Sequence, residues 1–97
     1  MSSSVIVNVD DNAATRYHRA RILTAAGFKV LDAATGSETL ALVENNSPDL
    51  VLLDVHLPDV EGTEVCRRIR AMESGTSIIV VQISASAGRD AGHKVPR

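Results

Sequence analysis

Three carboxylates and one hydroxyl stand where short apolar runs end. Asp10 and Asp11 follow Val5–Val9, Asp54 lies near the end of Leu50–Val55, and Ser84 follows Ile78–Ile83. If those runs are strands of an open parallel sheet, their carboxyl ends share one edge, which is where such sheets bind ligands. Three clustered carboxylates repel one another unless a cation sits between them. All-oxygen donors suit a hard ion that keeps several waters, which points to Mg²⁺. A metal, an exposed carboxylate and a nearby hydroxyl are the parts needed for phosphoryl transfer onto a carboxylate.

Each residue also has a plainer reading. An Asp before a helix is a common N-cap, so Asp10 or Asp11 alone would signify little. Asp54 is harder to dismiss, because a carboxylate after Leu50-Val-Leu-Leu53 is poorly explained by packing. Ser84 alone reads as an ordinary strand-end hydroxyl. The His56 side chain reads as a surface loop residue, whereas its backbone carbonyl lies close to Asp54 in the chain whatever the side chain does. Cys66 reads as a small hydrophobe, and Arg67, Arg68 and Arg70 as a solvated helix face.

The elements that must position these groups follow from periodicity. Val5–Val9, Phe28–Asp32, Leu50–Val55 and Ile78–Ile83 are β-rich, and three of them are apolar almost without alternation, the pattern of strands covered on both faces. Asn12 to Ala26 has helical period and is followed by Gly27 where a left-handed C-terminal residue is wanted. Thr35-Gly-Ser-Glu38 has capping-box spacing for a helix reaching Asn46, which Ser47 and Pro48 stop. Glu61 to Glu73 places Val65, Ile69 and Met72 on one stripe, with Gly75 ending it. Alternation of this kind predicts consecutive βαβ units with right-handed crossovers.

Composition bounds the rest. Ninety-seven residues make one small α/β domain. The chain is 44% apolar but only 2% aromatic, so its core must be Val, Leu, Ile and Ala. A net charge of −2 and a pI near 5.8 argue against a basic nucleic-acid footprint. A single cysteine excludes an internal disulfide and a cysteine-ligated zinc site. Apolar runs of about four residues fall far short of a membrane span, and no signal peptide is evident. A cytoplasmic chain without membrane contact is the expectation.

From Val5 to about Ser86 the chain resembles the receiver domain of two-component response regulators. Pro48-Asp-Leu-Val-Leu-Leu-Asp54-Val-His-Leu-Pro58-Asp-Val-Glu-Gly62 resembles the family's phosphoacceptor strand and loop, Asp10-Asp11-Asn12 its acidic pair, and Ile83-Ser84-Ala85 its hydroxyl-Ala strand end. The wording around Arg16-Tyr17, Ala26-Gly-Phe28 and Val65-Cys-Arg-Arg-Ile69 is most similar to receivers of bacterial hybrid sensor kinases. The resemblance implies a flavodoxin-like (βα)₅ fold, a doubly wound parallel sheet. Asp54 would take a phosphoryl group from a phosphohistidine of a histidine kinase or histidine phosphotransfer domain. Asp10, Asp11, Asp54 and the His56 carbonyl would hold Mg²⁺, and Ser84 would turn toward the phosphoryl group. Pro58 and Gly62 would shape the loop beneath the site.

One departure concerns the family lysine at the end of a fifth strand. Lys94 follows a glycine-rich stretch and does not match it. The expectation is therefore an incomplete receiver over residues 1–87, with 88–97 a mobile tail or the start of a missing segment. The fourth strand would then be an exposed edge, open to homodimerisation or swapping through Ile78–Ile83. Alternatives are a receiver-like interaction domain unable to accept phosphate, and a small Mg²⁺-dependent hydrolase. The hydrolase is disfavoured because position 56 is His rather than a second Asp.

Overall fold

The computed structural model describes residues 4–72 and 77–83. Its elements run β1 (Val5–Val9), α1 (Ala13–Ala25), β2 (Lys29–Ala33), α2 (Gly36–Asn46), β3 (Leu50–Asp54), α3 (Gly62–Ala71) and β4 (Ile79–Ile83). The four strands form one sheet in the order β2-β1-β3-β4, every pair parallel. The strand order reverses between β1 and β3, which makes their carboxyl ends the topological switch point.

Local chemistry explains the helix ends. Asn12 caps α1, its side chain accepting from the Thr15 amide at 2.9 Å. At the other end Gly27 adopts φ 101°, while its amide donates to the Thr24 carbonyl and the Phe28 amide to the Leu23 carbonyl. That pair of bonds is the Schellman arrangement, and the accompanying hydrophobic partners, Leu23 and Phe28, line one groove. Thr35 caps α2 as its spacing predicts, accepting from the Glu38 amide at 3.1 Å. The reciprocal bond is displaced by one residue: Glu38 Oε1 accepts from the Ala34 amide, not from Thr35.

The main core lies on the face covered by α2 and α3. Val7, Val9, Ala33, Val51 and Leu53 from the sheet meet Val43 of α2 and Val65 and Ile69 of α3, all essentially buried. Gly36 lets α2 approach, since a Cβ there would stand 3.0–3.1 Å from Val60 and Val65 side-chain atoms. Alternation along β1 sends Ile6 and Asn8 to the opposite face, which α1 covers.

That second face departs from expectation. On it only β1 is well enclosed, through Ile6 and Asn8; Leu50 and Leu52 of β3 are partly buried, and along β4 Ile79 is 59% and Val81 39% exposed. The reason is that α1 packs over β1 and β2, and no other described helix lies on its side of the sheet. An apolar groove lined by Ile6, Leu23, Phe28, Leu50, Leu52 and Ile79 results. Ile22 and Tyr17 of α1 also point to solvent. The third helix is shorter than its stripe predicts, ending at Ala71 with Met72 as C-cap. Gly75, Ser84 and the 88–97 segment lie outside the described residues.

Candidate metal and phosphoacceptor site

The register Val9↔Leu53 puts the residues that follow on β1 beside the end of β3. Asp10 follows β1, Asp54 ends β3, and Asp11 is next along the first loop. Their carboxylates converge: one oxygen from each lies within 4.8 Å of the others. Asp10 and Asp54 are each 3% exposed, whereas Asp11 is open to solvent. Two carboxylates are thus nearly buried, and the cluster is open to solvent at Asp11.

Hydrogen bonds hold the two buried carboxylates in place. Asp54 Oδ1 accepts from the His56 amide at 3.0 Å, which folds the chain just past β3 back onto the carboxylate. Asp10 Oδ1 accepts from the Asn12 amide at 2.9 Å, and its Oδ2 accepts from Arg19 Nη2 at 3.1 Å. The Arg16 Nη1 donates to the Asp10 carbonyl at 2.7 Å. Among the described residues, no buried side-chain polar atom lacks a partner.

The loop after Asp54 is pinned from two directions. His56 forms an antiparallel bridge to Glu61, and the Gly62 amide donates to the Val55 carbonyl at 3.1 Å. A Cβ on Gly62 would stand 2.7 Å from Val55 Cα and 3.1 Å from the Asp54 carbonyl, so only glycine fits against the backbone that carries the site. Asp59 reaches across to the start of α2, accepting from the Gly36 amide at 2.8 Å and the Ser37 amide at 3.0 Å. The Gly36 bond holds the Asp59 carboxyl below its ordinary range, helped by Ser37 and opposed by desolvation.

Of the residues expected at the site, Asp10, Asp11 and Asp54 come together, and His56 is tied to Asp54 through its amide. Its side chain is exposed. β4 ends at Ile83, in register with Asp54, and Ser84 lies outside the described residues. The residues that sequence reasoning missed are Arg19, Asn8 and Asp59, of which Arg19 and Asp59 carry no signal in the sequence. The available signal was Asn8 itself, an amide in the middle of an otherwise apolar strand, which must find partners if buried. It is fully buried, and its partners are Arg16, Arg19 and Asp32. Of the third-helix arginines, Arg67 and Arg68 form a solvated face, as expected, paired to Glu64, whereas Arg70 reaches the sheet and donates from Nη1 to the Ile78 carbonyl.

Comparison with known proteins agrees with this geometry. The family model of the response regulator receiver domain matches residues 6–94. Among curated proteins, response regulator MprA of Mycobacterium sp. (strain KMS) is 41% identical over 92 residues, covering 90% of this chain and 40% of that protein. The chain thus spans about two-fifths of the length of the curated relatives it matches. A response regulator structure from Chloroflexus aurantiacus is 31% identical with a TM-score of 0.79, covering 94% of this chain and 80% of that one. The receiver domain of a sensor histidine kinase from Pseudomonas aeruginosa, described with a magnesium ion coordinated in its active site cleft, has a TM-score of 0.83 at 26% identity, covering 96% of this chain and 76% of that one. With the acidic cluster at the switch point of a β2-β1-β3-β4 parallel sheet, the chain belongs to the response regulator receiver domain family and has its flavodoxin-like fold.

Proposed function

We propose that this receiver domain accepts a phosphoryl group on Asp54 in a two-component phosphorelay. The observation that carries the reading is the convergence of the Asp10, Asp11 and Asp54 carboxylates within 4.8 Å at the switch point. The donor set fits Mg²⁺: three hard oxygens from one side of an open cleft leave room for water and a phosphate. Asp10, Asp11, Asp54 and the His56 carbonyl would hold the ion, which when bound neutralises phosphate charge.

An Asp54 carboxylate oxygen attacks the phosphorus of a phosphohistidine in line. A P–O bond forms, the P–N bond breaks, and the imidazole nitrogen leaves with the electron pair. The His56 amide fixes the orientation of Asp54 through Oδ1, leaving the other oxygen as the nucleophile. Ser84, next after β4, is assigned the hydroxyl that senses the product. The partner is a histidine kinase or a histidine phosphotransfer domain, and the location is the cytoplasm, where those partners carry phosphohistidine. Among the described residues no helix is long and apolar enough to cross a membrane.

The test is intact mass after incubation with acetyl phosphate and Mg²⁺. One added phosphoryl group is expected, absent from Asp54→Asn and from a sample with the metal chelated. No addition to the wild type, with Mg²⁺ bound, would favour a receiver-like interaction domain that no longer accepts phosphate.

A further inference from the structure

We infer that Arg19 is a positioning residue that acts as a built-in counter-cation of the acidic cluster and thereby sets the affinity of the cluster for a divalent metal. The inference rests on the metal reading proposed above but has its own structural basis. The Arg19 guanidinium forks across two acceptors, donating from Nη1 to Asn8 Oδ1 at 3.0 Å and from Nη2 to Asp10 Oδ2 at 3.1 Å. The side chains of this ion pair are 18% and 4% exposed, so the contact itself is mostly buried, while the Asp11 side of the cluster is open to water. Asn8 is held in turn: its Nδ2 donates to the Arg16 carbonyl at 2.9 Å and to Asp32 Oδ1 at 3.1 Å. The guanidinium therefore cannot swing away without leaving a buried amide oxygen unpaired, at a cost that keeps it in place.

The electrostatic consequence follows from position. Arg19 reaches Asp10 from α1, through a mostly buried contact, while Asp11 is exposed to solvent. One unit of negative charge is thus compensated from within, whether or not a cation is bound outside. Arg16 adds a second guanidinium on the Asp10 carbonyl. In the metal-free state this compensation relieves the repulsion between Asp10 and Asp54. Toward an incoming divalent ion the same charge is a penalty. A unit charge roughly 6 Å from a divalent ion, at the dielectric of water, changes affinity about tenfold. Arg19 makes the metal-free site tolerable and the metal exchangeable.

Calorimetric titration of the full chain with Mg²⁺ alone tests this in the wild type, Arg19→Met and Arg19→Lys. Arg19→Met should bind Mg²⁺ about tenfold more tightly, Arg19→Lys should stay within about threefold of wild type, and the gap should narrow as salt is raised. Unchanged or weaker binding by a folded Arg19→Met, or identical behaviour of Met and Lys, overturns the inference. A second measurement needs no metal. In chelator, Asp10→Asn should lower the melting temperature of the wild type, where it strips Arg19 of its partner, and raise that of Arg19→Met, where it removes repulsion. The same sign in both backgrounds overturns the inference, and Arg19→Gln replaces Met if that variant does not fold. Should the wild type bind no Mg²⁺, the metal site proposed above fails, and the metal-free cycle still decides the role of Arg19.

Discussion

Asp54 and Asp10 are both nearly buried carboxylates at strand ends, yet their surroundings divide the work between them. Among the described residues Asp54 is met by one backbone amide, on Oδ1, which leaves its other oxygen for the attack proposed above. Asp10 is met by an amide and a guanidinium, which suits a group that positions and neutralises. Gly62 shows how closely the backbone is fitted around the first of these. Gly62→Ala should cost about 1–3 kcal/mol, since its methyl must displace the Val55 backbone rather than a movable side chain. Urea unfolding would read the loss. Phosphorylation rate should fall beyond what the unfolded fraction explains, because Val55 links Asp54 to the amide that orients it.

The elements differ in how far their residues announce them. Asn12, Gly27 and the Thr35–Glu38 spacing mark helix ends by local chemistry, and those ends form nearly as expected. The acidic cluster was equally legible, because strand ends and carboxylates are both visible in one dimension. What was not legible depends on pairs distant in the chain. Asp59 binds the start of α2 twenty-three residues away, and Arg19 reaches Asp10 only because Asn8 points to the α1 face. Coverage of the strands was also misread: an apolar run reports a tendency to be buried, not the presence of a helix to bury it.

Two of these element contacts carry a pH signature. Hydrogen bonds from Arg67 and then Arg68 hold the Glu64 carboxyl down to about 2, against an ordinary 4.5, and Asp59 is lowered chiefly by the Gly36 amide. Both groups have folded values below their unfolded ones. Their contributions are therefore complete above the unfolded range and fade as pH falls, for Glu64 from about 4.5 toward about 2. Melting temperature should drop on acidification through that window, and the drop should shrink in Glu64→Gln and in Asp59→Asn. Because both groups are well solvated, each effect should be small and should diminish in high salt.

At the scale of the molecule the two faces of the sheet are unequal. The α2–α3 side holds a closed core, while the α1 side leaves an apolar groove running out to β4. Among the described residues β4 has a neighbouring strand on one side only, and with Ile79 and Val81 exposed it is suited to pairing with a second copy. Light scattering should therefore show self-association that rises with concentration, and Ile79→Lys with Val81→Lys should reduce it while leaving Asp54 phosphorylation intact. A monomer at high concentration would count against edge pairing.

The position of β1 between β2 and β3 has a consequence for how the chain matures. Of the four described strands the first to be synthesised is an inner strand of the sheet, and its early partner, β2, lies on the side away from Asp54. Until β3 is synthesised and docks, Asp10 and Asp11 lie just ahead of α1, which Asn12 caps, with no Asp54 beside them. The repulsion among the three carboxylates therefore arises at a late, long-range docking step, not during local structure formation. The charge that equips the site for its chemistry is thus met as a barrier only when the two halves of the switch point close.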